Sequence, residues 1–340
     1  MVRTRPGINV KLGRVCVLVL CLAAASCAPR IEPPGPAVAD PALSGQAFST
    51  ADGARLPLHR WQPEKNPARA VLIALHGFND YGNFIAEAGA YFAQRGILTY
   101  AYDQRGFGGA PNRGLWPGIK AFTDDLKSVA ALIRARHPGT PLFILGESMG
   151  GAVLMTAMTG DAPPRADGII LSAPAVWGRS TMPWVQRSAL WLSAHTVGGL
   201  KLTGQSLKIK PSNNIEMLRA LGRDPRIIKE TRIDTLWGLA GLMDAALAAA
   251  PRLSAPALIL YGRKDQVIPA APTRKMLKSL PPAGREARRI AYYENGYHML
   301  LRDLDGETVW ADIAAWIADR TRPLPSGADR KAGALLRGAP

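Results

Sequence analysis

The chain predicts an α/β fold, a mostly parallel, doubly wound sheet opened by an antiparallel hairpin and interrupted by a helical insertion. Short apolar runs recur along the chain, of the kind buried on both faces of a parallel sheet. Segments of helical periodicity separate them, and strand–helix alternation implies helices on both sheet faces. One long interval lacks any strand-like run. At 340 residues and 47% hydrophobic content, the chain has the length for one such domain and the apolar material for a full core.

Residues 1–14 carry Arg3, Arg5, Lys11 and Arg14 and no acid, and "VCVLVLCLAAASCA", Val15 to Ala28, follows. A cationic start, an apolar stretch below the roughly 20 residues of a bilayer span and small residues at its end make a signal-peptide layout over residues 1–26. The stretch "AAASC", Ala23 to Cys27, resembles a bacterial lipobox, departing from it at Ala24, where that pattern prefers leucine. The resemblance implies lipidation at Cys27 and a membrane-anchored lipoprotein of the bacterial envelope. Ordinary cleavage near Ala25, giving a periplasmic or secreted soluble protein, and a retained anchor are the alternatives. Cys16 and Cys21 lie inside the leader, so the processed chain keeps Cys27 alone and forms no intrachain disulfide. No Cys/His cluster has metal-ligand spacing, and no metal site is expected. Residues 27–44, rich in proline and small residues, read as a tether.

"GQAFSTADGARLPLHRW" places an Asp52-Gly53 turn between two strand-like halves, the expected hairpin. "AVLIALHG", "GILTYAYD", "PLFILGES" and "DGIILSAPA" are the next strands, then "APALILYGRKD" and "ARRIAYYENGYH" beyond the interruption. Phe122, Leu126, Val129 and Ile133 recur at helical spacing within 119–137. The core is therefore expected over 45–175 and 252–320. Residues 176–251 hold three helical stretches and read as a cap over the carboxyl edge of the sheet, where open α/β folds bind ligands. Residues 321–340 have no sustained period and read as a loose basic tail.

A formal charge of +16 raises nucleic acid or an anionic membrane as partners. No recognition-helix, RNA-binding motif or aromatic-interleaved basic stripe is present, so the charge reads as solvated surface and no nucleic acid is expected.

The chemistry concentrates in "FILGESMGGAVL". Gly146-Glu147-Ser148-Met149-Gly150 ends a buried strand on two glycines around a serine. A sharp strand-to-helix turn there lifts the Ser148 hydroxyl above the sheet, and larger residues at Gly146 and Gly150 would crowd it. Serine is a weak nucleophile and needs a base held by an acid. Asp265 follows one buried strand and His298 the next, in the chain order Ser, Asp, His. Singly, Asp265 is a turn residue and His298 a core histidine. Together, each at a strand's carboxyl end, they form a candidate triad. Glu147 and Glu294 rank below Asp265 as the acid, and His59, His137 and His195 are poorly placed as bases. Two backbone donors for an oxyanion are expected at Met149 and Phe78, with His76 and Gly77 shaping the loop of the latter. Asp103 and Arg105 read as turn stabilisers.

"HGFND", "DQRGFGG", "GESMGG", "GRKDQVIP" and "NGYHML", in this order across residues 45–320, resemble the α/β-hydrolase superfamily. Within it they are most similar to the monoacylglycerol lipase and lysophospholipase branch, grouped with S33-type serine aminopeptidases. Asn79-Asp80 departs from the Gly-Glu common in eukaryotic members. The resemblance implies a Ser-His-Asp serine esterase with no cofactor, acting on carboxylic esters of the monoacylglycerol or lysophospholipid kind. Trp184, Trp191 and Trp237 would then line an acyl channel, or else pack the cap's own core. Two alternatives stand beside this: an aminopeptidase or amidase on the same fold, and a non-catalytic lipoprotein binding envelope components.

Overall fold

The computed structural model describes residues 28–64, 67–204, 209–282 and 287–333. The expected leader and Cys27 lie outside them. Strands β1 (Ala42–Ser44), β2 (Ala47–Ser49), β3 (Arg55–Trp61), β4 (Ala70–Leu75), β5 (Ile97–Tyr102), β6 (Leu142–Glu147), β7 (Gly168–Ser172), β10 (Ala257–Gly262) and β11 (Arg288–Tyr293) form one sheet. Its order is β1-β2-β3-β5-β4-β6-β7-β10-β11. The first strands are antiparallel, β3 included where it meets β5. All pairings from β5 to β11 are parallel. Each strand predicted from an apolar run is present.

Strands β4, β5, β6, β7 and β10 are buried along their whole length, which is why they read as continuous apolar runs rather than alternating ones. Alternate residues still serve opposite faces. Val71, Ile73 and Leu75 join one core with the helices Ile119–Arg136, Met149–Thr159, Ile233–Ala249 and Ala270–Ser279. Leu72 and Ala74 join the other, under Ala86–Gln94 and Gly306–Ala318. Burying each large side chain here contributes about 1.5–3 kcal/mol.

The register matters more than the order. Leu75 pairs with Gly146, Glu147 with Ser172, Ser172 with Leu260, and Gly262 with Tyr293. The carboxyl ends of β4, β6, β7, β10 and β11 are thus nearly level. Their following loops leave one edge together. The chain runs from β4 outward to β5 and then back to β6, so the two central loops flank the point where strand order reverses, the usual ligand position in such sheets.

Three expectations need correction. The interval 176–251 is not wholly helical. Besides Trp184–Thr196, Ile215–Arg223 and Ile233–Ala249 it carries an antiparallel ribbon, β8 (Lys201–Thr203) against β9 (Glu230–Arg232). Strands of 3 residues leave too little pattern to read. Helix Ile233–Ala249 also leaves the cap for the core, burying Leu242 and Ala246 completely.

The expected tether does not hang free of the body. Glu32 N donates to Trp116 O, Val38 N to Ala51 O, and β1 adds a strand to the hairpin.

The expected loose tail is docked as far as residue 333. Leu324 and Ala328 are buried, Arg289 pairs with Asp329 at 2.6 Å, and Ser326 N donates to the wholly buried Asp312. Here buried charge and isolated apolar side chains hold the chain, and neither makes a periodic signal.

Candidate active site

Ser148 stands between β6 and the helix Met149–Thr159 with φ 52° and ψ −113°, a left-handed backbone that costs energy in any residue bearing a Cβ. Hydrogen bonds over-determine it. Ser148 N donates to Ser172 O at 2.9 Å, and Ala175 N donates to Ser148 O at 2.9 Å. The flanking glycines allow the turn by close approach. A Cβ on Gly146 would press into the Gly150 carbonyl, and one on Gly150 into the Leu75 carbonyl.

Asp265 and His298 reach the same place. The His298 ring lies 2.9 Å from Ser148 Oγ through Nε2 and 2.9 Å from Asp265 Oδ2 through Nδ1. The second oxygen, Asp265 Oδ1, accepts from Val267 N at 2.8 Å and Ile268 N at 3.0 Å, which fixes the carboxylate plane. The two loops are joined to each other. Lys264 N donates to Gly296 O, Arg263 N donates to Tyr293 O, and Gly262 meets Gly296 so closely that a Cβ on Gly262 would strike backbone. His298 is buried, which by itself disfavours the imidazolium. Asp265, with a further contribution from Glu147, outweighs that and raises its pKa above the ordinary histidine value.

His76 braces the loop after β4 by bonds the sequence did not disclose. His76 is wholly buried. Its Nε2 accepts from Gln104 N at 2.9 Å, which leaves Nδ1 to donate to Gly77 O at 2.8 Å. Burial also lowers its pKa. Both ring nitrogens are spent on backbone, so His76 is a neutral brace and not an ion ligand. Among the described residues neither the Phe78 nor the Met149 amide has an acceptor. Asn79 follows at φ 64°, a conformation asparagine tolerates. It ties the loop to the cap: its Nδ2 donates to Thr231 Oγ1 at 2.7 Å and its carbonyl accepts from Ile228 N at 3.0 Å. Asp103 accepts from Gly82 N, Gly109 N and His59, while Arg105 pairs with Asp52 and Asp125, so both brace turns.

The other acid and base candidates have partners outside the triad. Glu147 pairs with Arg302, and Glu294 with Lys331. His137 bonds Tyr100 and His195 bonds the Trp191 carbonyl. The three cap tryptophans do not form an enclosed channel. Trp184 is 72% and Trp191 51% exposed. Trp191 stacks on His195, which meets Trp237 edge-on, and Arg179 covers Trp237 at 4.2 Å. Among the described residues no cluster of His, Cys, Asp and Glu is suited to hold a metal. Arg302 and Gly296 were missed by sequence reading. An arginine inside the apolar run "HMLLRDL" is the signal that was available for the first.

A serine on a strained elbow, an imidazole at its hydroxyl and a carboxylate behind, on a sheet of this order, define a serine hydrolase of the α/β-hydrolase fold. The profile of the family described as "Serine aminopeptidase, S33" matches residues 66–305, and the chain belongs to that family. It is similar to the monoacylglycerol lipase of Mycolicibacterium smegmatis, 25% identical and covering 81% of this chain and 96% of the relative. It is also similar to the Homo sapiens monoglyceride lipase, 25% identical with 80% and 89% covered. A solved soluble variant of the Saccharomyces cerevisiae monoglyceride lipase, in complex with a substrate analog, superposes with a TM-score of 0.66 at 21% identity, over 85% of this chain and 97% of that one. The Paleococcus ferrophilus monoacylglycerol lipase gives 0.64 at 21%, with 77% and 98% covered.

Proposed function

We propose that the protein hydrolyses carboxylic esters, with lipid monoesters of the monoacylglycerol or lysophospholipid kind as substrates. The observation that carries the reading is the continuous hydrogen-bonded line from Ser148 through His298 to Asp265. Ser148 Oγ attacks the ester carbonyl as His298 Nε2 takes its proton, and the Phe78 and Met149 amides receive the oxyanion. Collapse expels the alcohol with the proton from His298. A water then gives its proton to His298, attacks the acyl-enzyme and frees the carboxylic acid and Ser148. Asp265 holds the imidazole tautomer and stabilises the imidazolium. No cofactor enters this scheme.

The lipid part is supported by the similarity to monoacylglycerol lipases and by the outer face of the cap. Trp184, Val185, Trp191, Leu192, Val197 and Leu200 are exposed there, with Arg187 and Lys201 exposed among them. Apolar side chains interspersed with cations suit the surface of an anionic lipid layer. A lipid anchor at Cys27 would hold the enzyme at such a surface in the envelope, and labelling by a fatty-acid probe lost in Cys27→Ser tests this. An aminopeptidase would need free acids for the substrate amine. Of the cap's five acids, Asp224, Asp234, Asp244 and Glu216 are already engaged, by Tyr81, Arg232, Arg179 and Arg219 respectively, which among the described residues leaves Glu230 alone on the exposed end of β9 and no acidic cluster.

A chain-length series of p-nitrophenyl and glycerol esters tests the substrate. Rates rising from acetate to long acyl chains are expected. Preference for acetate, with no gain on lengthening, would remove the lipid part. Fluorophosphonate labelling that survives Ser148→Ala would remove Ser148 as the nucleophile, and a wild type that takes no label would favour the binding-lipoprotein reading.

A further inference from the structure

Directly behind the nucleophile lies an ion cluster to which the hydrolytic scheme assigns no task. Arg302 Nη2 is 2.7 Å from Asp80 Oδ2 and 2.8 Å from Glu147 Oε1. All three side chains are nearly sealed from solvent, with 9%, 7% and 2% exposed respectively. Burying three ionisable groups is expensive unless they compensate one another. Their positions are telling. Asp80 lies two residues past Phe78. Glu147 immediately precedes Ser148. Arg302 closes the 3-10 turn Leu300–Arg302, four residues past His298. One nitrogen therefore touches the loop of the oxyanion donor and the elbow of the nucleophile, while its own backbone belongs to the loop of the base.

We propose that Arg302 is a positioning residue, whose guanidinium fixes the distance between the Phe78 amide and Ser148 by clamping Asp80 to Glu147. The inference rests on the serine-hydrolase reading above. The clamp acts where small errors are costly, since a displacement of about 1 Å at a reacting centre can lower the rate about 100-fold. His76 and Asn79 hold the start of this loop to Gln104 and to the cap, and the clamp adds the tie from Asp80 to the nucleophile elbow. Among the described residues Asp80 Oδ1 accepts the local Tyr81 N, and Asp80 N reaches Gly77 O at a long 3.3 Å. Gly77 keeps the elbow within reach, for a Cβ there would lie 3.4 Å from Ser148 Cβ and 3.8 Å from Glu147 Oε1. Asn79 docks the cap and Asp80 takes one side of the clamp.

The test compares Arg302→Met and Arg302→Lys with the wild type, using hydrolysis of a p-nitrophenyl ester and inhibition by an alkyl boronic acid, whose adduct on Ser148 places an oxygen among the oxyanion donors. In Arg302→Met, kcat is expected to fall about 10- to 100-fold and the boronate Ki to rise by a similar factor, with KM changed less than about 3-fold. Arg302→Lys should recover most of both losses, because a single ammonium can face two carboxylates that a single guanidinium nitrogen faces now. A merely structural residue would lower the melting temperature and leave kcat per titrated site and boronate Ki unchanged. That result in folded Arg302→Met, or a lysine variant no better than methionine, overturns the proposal.

Should Arg302→Met fail to fold through its two uncompensated carboxylates, the triple variant Asp80→Asn, Glu147→Gln, Arg302→Met removes all three charges together and must show the same paired loss. Wild-type turnover insensitive to boronate and surviving Ser148→Ala would overturn the nucleophile assignment and the clamp with it. A sensitive, Ser148-dependent wild type matched by its Arg302→Met variant overturns the clamp alone.

Discussion

His298 Nε2 lies 2.9 Å from Ser148 Oγ across 150 residues of sequence. At that separation the proton can pass as the nucleophile forms, with no prior rearrangement. Ser148→Ala is therefore expected to lower kcat about a million-fold while leaving a folded, substrate-binding protein. Steady-state hydrolysis with fluorophosphonate titration of active sites measures this, and wild-type turnover in the variant would refute the assignment.

The reaction needs His298 neutral, and its pKa stands above the ordinary histidine value. Activity should thus rise with pH through that raised value, placing the acid limb of kcat/KM above about 6.5. Burial and Arg302 oppose the imidazolium, and Asp265 and Glu147 favour it. Removing the largest favourable charge in Asp265→Asn should move the limb to lower pH and reduce kcat about 10⁴-fold. A kcat/KM profile of both enzymes decides the matter; an unmoved limb would mean that Asp265 does not set the base.

Trp184 and Trp191 are exposed on the cap. Trp184→Ala with Trp191→Ala should leave hydrolysis of a soluble short-chain ester within about 2-fold, since surface substitutions are usually near neutral. Hydrolysis of a monoacylglycerol in anionic vesicles should fall at least several-fold as interfacial binding weakens. Equal losses on both substrates would assign the two rings to the cap's internal packing instead.

Ending the chain at Thr321 strips Asp329 from Arg289 and Ser326 from Asp312 and removes Leu324 and Ala328 from the core. Breaking one buried ion pair costs on the order of 3 kcal/mol. The urea midpoint should drop accordingly, and an unchanged midpoint would show that residues 322–333 add nothing to stability.

Much of this architecture was legible in the sequence because its causes are local. A strand buried on both faces must be apolar throughout, so "AVLIAL" and "ALILYG" announce β4 and β10. A sharp turn under a helix excludes side chains larger than hydrogen, so Gly146 and Gly150 mark the elbow around Ser148. The chain order of Ser148, Asp265 and His298 followed from reading which polar residues end such strands.

What depended on tertiary structure lies wherever a side chain chooses a partner far along the chain. Glu147 is as close to Ser148 in sequence as a carboxylate can be, yet it serves Arg302, 155 residues away, while Asp265 serves His298. The level strand ends made that choice by setting which loops meet. The docked segment 322–333 was hidden for the same reason: two apolar side chains, the Arg289–Asp329 pair and the hydrogen bonds of Ser326 to Asp312 hold it to β11 and the last helix. Hydrophobic periodicity and backbone sterics act between neighbours and leave a pattern in the sequence. The pairing of charges depends on distance in space, and only the folded sheet supplies it.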